Sequence, residues 1–204
     1  MNNYKKNLKL LKKNYVYSEE MEHDACGVGL IASTEGKKSR RIVEYGIEAL
    51  KAVWHRGAVD ADGKTGDGAG IHVEIPKDFF IEKIEVTGHD YDNSEICVGM
   101  IFLPRNDYSS QENCKTIVES ELTKNNFSIY GWRQVPVNSK VLGEKALQTM
   151  PEIIQVLFKS NDPNLLDKSL ERKIYETRKR IENKAFDASL NNFYICSISS
   201  KSII

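Results

Sequence analysis

The sequence predicts a layered α+β domain. Three observations carry this. Apolar stretches with strand period and apolar stretches with helix period are mixed along the chain, but not in strict strand–helix–strand order. Hairpin-like stretches lie between the helices, which favours layered α+β over a doubly wound parallel sheet. No linker and no internal repeat divides the chain after residue 26.

The elements follow in order. Residues 1–25 are lysine-rich at positions 5, 6, 9, 12 and 13, then acidic at Glu19, Glu20, Glu22 and Asp24. This reads as a disordered tail. Residues 27–33 alternate Gly with Val, Leu and Ile and predict a buried strand. After the turn at Glu35–Lys38, Ser39 caps a helix through about Trp54, with Val43, Gly46, Ile47, Leu50 and Trp54 on one face. Residues 55–70 are rich in Gly and Asp and predict irregular backbone with several positions at positive φ. Ile71, Val73 and Ile75 alternate as a second strand, and Pro76 opens a short helix through Phe79 and Phe80.

Residues 95–103 predict a third strand, ended by Pro104. Ser109 and Glu112 have capping-box spacing, before a helix with Cys114, Ile117, Val118 and Leu122 inward. A strand at 127–135, a short helix at 143–149 and a strand at 153–158 come next. Asp162–Pro163 predicts an N-cap with proline at the first helical position. That helix runs to about Lys184 with Leu166, Leu170, Ile174, Thr177 and Ile181 inward, and residues 193–198 form a last strand.

Composition excludes several classes. A 40% hydrophobic, 28% charged chain of 204 residues can bury a full core without disulfides or metals. Its 29 basic and 29 acidic residues cancel, so no global field draws it to nucleic acid or membrane. No apolar run reaches the length of a membrane span, and the leader has no continuous apolar core of a secretory signal. The cysteines at 26, 97, 114 and 196 form no CxxC pair and have no histidine at ligand spacing. Free thiols fit a reducing, cytoplasmic setting.

Cys26 is the residue with the most chemistry. A charged leader ends at it and a glycine-spaced apolar stretch begins. A cut between Ala25 and Cys26 would place a thiol and a free α-amine on one residue, a nucleophile with its own base. With a pKa of about 8, such an amine accepts a proton at neutral pH where a lysine amine does not. The plainer alternative is a small buried cysteine in a strand.

Two nucleotide-binding signatures fail. Gly63-Lys64-Thr65 resembles the end of a P-loop, but five residues separate Gly57 from Gly63 where that motif has four. Asp60, Asp62 and Asp67 would also repel phosphate. Cys26-Gly27-Val28-Gly29 contains a Gly-x-Gly, but within a strand pattern rather than in a turn opening a helix.

One order of motifs holds. Cys26-Gly27-Val28-Gly29 begins an apolar stretch, a helix follows and ends in His55-Arg56-Gly57, and Thr65-Gly66-Asp67-Gly68-Ala69-Gly70 leads into the next strand. This resembles the start of the class II glutamine amidotransferases, and more narrowly the large subunit of glutamate synthase, nearly throughout residues 23–80 and more loosely over 95–204. The resemblance implies an N-terminal-nucleophile hydrolase fold, a four-layer α/β/β/α sandwich, incomplete at the C-terminus because the chain stops inside the family's domain. It implies a propeptide-like leader over 1–25 and an N-terminal part of the amidotransferase domain over 26–204. It also implies that Cys26 attacks the side-chain amide of glutamine and forms a γ-glutamyl thioester.

Arg56 and Gly57 fall in the family's His-Arg-Gly motif, where Arg56 either contacts substrate or bonds loop carbonyls. Asp67 ties the loop through backbone N–H groups, and no metal ligand set surrounds it. His55 reads as a helix-end histidine, and Trp132 and Arg133 as strand packing and surface. The family's carboxylate-clamping arginine and oxyanion donors have no matching position here. Neither do its FMN-binding domain and iron–sulfur cysteines, so no cofactor is expected within these residues. The implied partners are glutamine, the remainder of a synthase chain, and a reductase subunit or ferredoxin. A non-catalytic module of the same fold and an unrelated N-terminal-nucleophile amidase remain as alternatives.

Overall fold

A computed structural model describes residues 2–14, 27–54 and 57–204. Its centre is a four-stranded, wholly antiparallel sheet. The strands are β2 (Cys97–Leu103), β3 (Phe127–Gln134), β4 (Glu152–Ser160) and β5 (Tyr194–Ser199), in the order β3-β4-β2-β5. A second sheet pairs β1 (Val73–Glu74) with β6 (Ser202–Ile203), also antiparallel.

Alternation along the strands sends side chains to opposite faces of the large sheet. Ile101, Leu103, Phe127, Ile154, Val156 and Phe158 face one side. There they meet Cys114, Val118 and Leu122 of α4 (Tyr108–Lys124) and Leu170, Ile174 and Ile181 of α6 (Asp167–Asp187). Val98, Tyr130 and Leu157 face the other side. They meet Phe80 and Ile84 of α3 (Lys77–Val86), with Ile203 of the small sheet and Ile75 just after β1. The result is an α+β arrangement of two antiparallel sheets with helices, as the sequence predicts.

A bulge between Ile129 and Gly131 locks α3 onto this second face. Gly131 takes φ 149°, a conformation that favours glycine, and the Thr87 hydroxyl at the end of α3 donates to the Tyr130 carbonyl at 2.9 Å.

Several expectations are corrected. Residues 27–33 form no strand; Val28 and Leu30 are 93% and 88% exposed. A strand needs a ladder partner and a covered face, and the described residues supply this segment with neither. The leader is not wholly structureless, because Asn2–Asn14 forms helix α1. That run lacks Gly and Pro, and Lys12 and Lys13 in its last turn favour the negative end of the helix dipole. The acidic part of the leader lies outside the described residues.

Cap positions also move. Helix α4 begins at Asp107, whose carboxylate accepts the Ser110 N–H at 3.0 Å, rather than at a Ser109–Glu112 box. Glu112 pairs with Lys115 instead. Helix α6 begins five residues after Asp162, which heads a separate turn by accepting from Asn164 N. Leu166 is consequently 56% exposed rather than inward. Pro76 precedes α3 as its cap.

Ser39 does cap α2 (Arg40–Ala52), accepting the Arg41 N–H at 3.2 Å. The α2 stripe Val43, Gly46, Ile47 and Leu50 is only half-buried, and Trp54 beyond it is 77% exposed.

Candidate active site

Cys26, His55 and Arg56 lie outside the described residues. Of the residues singled out by sequence, Gly57 and Asp67 are described, and the structure brings them to one place. The Gly57 N–H donates to the Trp54 carbonyl at 3.0 Å, closing the end of the α2 region in a tight turn. A Cβ at Gly57 would press within 3.3 Å of that same oxygen. One residue on, the Ala58 N–H donates to Asp67 Oδ2 at 2.9 Å, and the Asp67 N–H donates back to the Ala58 carbonyl at 3.3 Å.

These bonds form the base of a small hairpin. Val59 and Gly66 bridge antiparallel, and the Asp60 N–H donates to the Thr65 carbonyl at 2.7 Å. Among the described residues of this loop only Gly63 has positive φ, at 68°. The several positive-φ positions expected from its glycine content are therefore not found. Glycine serves elsewhere by its small size: a Cβ at Gly66 would come within 3.0 Å of the Ala58 carbonyl.

The residue that sequence reasoning missed is Asp62. Its Oδ1 accepts the N–H groups of Lys64 at 2.9 Å and Thr65 at 2.7 Å. Its Oδ2 accepts the Thr65 hydroxyl at 2.6 Å and the Glu144 N–H at 3.1 Å. Glu144 begins α5 (Glu144–Thr149). Asp60 adds a second tie, an ion pair with Lys145 at 2.5 Å. The local half of this was legible, since an aspartate that bonds backbone two and three residues on is a recognised turn former. The contact with Glu144, 82 residues away, has no sequence signal.

Electrostatics separates anchor from catalyst in this hairpin. The Thr65 hydroxyl and the Thr65 and Lys64 amides hold the Asp62 carboxyl down to about 2. At neutral pH it is a fixed anion and a hydrogen-bond acceptor, not a proton carrier.

The described thiols are poor nucleophiles. Burial pushes the Cys97 thiol far up and the Cys114 thiol to about 11, and burial also raises Cys196. All three are free cysteines.

No cluster of three or more His, Cys, Asp or Glu among the described residues could hold a metal ion. Cys97 and Cys114 sit in the core. The described residues therefore do not fit an iron–sulfur cluster. The glycine-rich loop at residues 57–70 carries Asp60, Asp62 and Asp67, which do not fit a flavin phosphate. No helix among the described residues is long and apolar enough to cross a membrane.

Comparison with known proteins extends this picture. The chain is 51% identical over 201 residues to the glutamate synthase [NADPH] large chain of Azospirillum brasilense, covering 98% of this chain and 13% of that protein. It is 37% identical over 198 residues to the chloroplastic ferredoxin-dependent glutamate synthase 2 of Arabidopsis thaliana, covering 95% and 12%. It is 36% identical over 184 residues to ferredoxin-dependent glutamate synthase 2 of Synechocystis sp., covering 90% and 11%. The chain thus spans about an eighth of the length of the curated relatives it matches. The family model for class II glutamine amidotransferases matches residues 26–204, from the cysteine through the hairpin, α5 and both sheets. By that match the chain belongs to the class II glutamine amidotransferases.

Proposed function

We propose that this chain carries the glutaminase nucleophile of a glutamate synthase. The observation that supports this most is where the family match starts: its first residue is Cys26. Removal of residues 1–25 would free the Cys26 α-amine. The amine takes the thiol proton, and the thiolate attacks the side-chain amide carbon of glutamine. The C–N bond then breaks, the amine's proton goes to the departing nitrogen, and ammonia leaves. Protonation matters because amide nitrogen is a poor leaving group unless it receives a proton as it goes. Water then cleaves the γ-glutamyl thioester, giving glutamate and restoring the thiol.

In this reading Arg56 contacts the substrate, and Asp67 holds the base of the hairpin beside Gly57 through Ala58. Ammonia passes to a synthase site elsewhere in the protein. That site would use the flavin and iron–sulfur groups, with electrons from a nicotinamide through a reductase subunit or from ferredoxin; both kinds of donor appear in the relatives' names. The setting is cytoplasmic, in keeping with free thiols at Cys97, Cys114 and Cys196.

The test is glutamine hydrolysis by the full-length protein and by Cys26→Ala, with the N-terminus read by intact mass. The expected result is a mature N-terminus at Cys26 and no turnover in the variant. Full activity with residues 1–25 attached would overturn the mechanism, because an acylated nitrogen cannot act as the base.

A further inference from the structure

We propose that Asp62 is a positioning residue for glutamine binding: it latches the 58–67 hairpin to the start of α5 and so holds Gly57 in place at the hairpin's base. This rests on the reading of Cys26 as nucleophile and of Gly57 as part of the glutamine site given above.

The hairpin has two ends. Its base is closed by the paired Ala58 and Asp67 contacts, immediately after Arg56-Gly57. Its tip would otherwise be a free turn at Asp60–Thr65. Asp62 ends that freedom by using both carboxylate oxygens, one toward the tip's own amides and the other toward both the Thr65 hydroxyl and the Glu144 N–H. Asp60 and Lys145 repeat the link in parallel.

The fit between the two elements is close. A Cβ at Gly143 would overlap Thr65 Oγ1, Asp62 Oδ2 and the Thr65 amide nitrogen. Only glycine lets α5 approach this tip. A short hairpin stitched at both ends moves as one body, so a shift at its tip reaches its base. Displacement of a positioning group by about 1 Å can cost on the order of a hundredfold in activity.

The experiment uses full-length protein and four variants: Asp62→Asn, Thr65→Val, Thr65→Ser and Cys26→Ala. Glutaminase kinetics are measured against glutamine concentration, active sites are counted by covalent titration, and hydrogen exchange is followed at the Thr65 and Glu144 amides. Asp62→Asn and Thr65→Val are expected to raise KM for glutamine by roughly ten- to a hundredfold. Exchange at both amides should accelerate in parallel, while Thr65→Ser, which keeps the hydroxyl, should behave like the parent.

A purely structural role would lower the number of titratable sites but leave KM unchanged in the molecules that remain, and that result overturns the proposal. Should Asp62→Asn fail to fold, Thr65→Val carries the same comparison with one hydrogen bond removed. Glutaminase activity in Cys26→Ala would instead overturn the underlying reading, whatever the latch does.

Discussion

Lys184 Nζ on α6 lies 2.5 Å from Glu121 Oε1 on α4, and Glu121 is only 4% exposed. The contact is a charge pair rather than a well-angled hydrogen bond. It joins the two helices that cover one face of the large sheet. Lys184 keeps the Glu121 carboxyl below its ordinary value, helped by Lys124 at 3.6 Å. Lys184→Met should destabilise the fold by about 1–2 kcal/mol: more than a surface pair, because Glu121 is buried, but less than a fully buried one, because Lys124 remains. Urea denaturation of parent and variant measures this.

Acid should weaken the protein through its depressed carboxyls. Asp62 is lowered from 3.8 to about 2 by Thr65 and Lys64, and Asp92 is lowered by Lys159 and Ser94. Each has a folded pKa below its unfolded one. Its contribution is fully present above the unfolded value and is lost as pH falls through the folded one. For Asp62 the window runs from 3.8 down to about 2. Denaturation midpoints should hold steady from pH 7 to about 5 and fall below about 4, and Asp62→Asn should flatten part of that fall.

Cysteine reactivity should be selective. Burial keeps Cys97, Cys114 and Cys196 protonated at neutral pH, and protonated thiols react slowly with electrophiles. An electrophilic glutamine analogue should therefore add once to the native protein, at Cys26. The other three should label only after denaturation. A native-state adduct on Cys114 would remove the assignment of the nucleophile.

Gly99 tests the packing between strands β2 and β4. A Cβ there would sit 2.7 Å from Val156 Cγ1 and 3.5 Å from Ile198. Gly99→Ala should cost about 1–3 kcal/mol by overpacking. Adding Val156→Ala opens space at that contact, so the double variant should be more stable than the sum of the two single losses. Additive losses in a double-mutant cycle would show that the clash is not what limits this site.

The exposed stretch before α2 is an association hazard. Among the described residues Val28 and Leu30 are almost fully exposed, and exposed apolar, glycine-spaced backbone recruits other chains. The 204-residue chain studied alone should self-associate at micromolar concentration. Val28→Ser with Leu30→Ser should reduce this in light scattering without changing the far-ultraviolet spectrum.

The sequence by itself determined the elements whose partners lie within their own pattern. Apolar runs of strand length marked β2, β3, β4 and β5 to within about two residues. Helical spacing marked the inward residues Cys114, Val118 and Leu122 on α4 and Leu170, Ile174, Thr177 and Ile181 on α6. Ser39 was legible as a cap because its acceptor and donor are two residues apart. Tertiary structure decided what depends on distant partners. Residues 27–33 have strand composition but no strand, because a ladder needs a neighbour and composition cannot supply one. Asp107 displaced Ser109 as the cap of α4 where the chain leaves β2 and turns back. Asp62 gains its structural role only because α5, 82 residues later, brings the Glu144 N–H to its second oxygen. A local hydrogen bond is set by chain stereochemistry over three or four residues, whereas a contact between distant segments exists only after the core has placed them side by side.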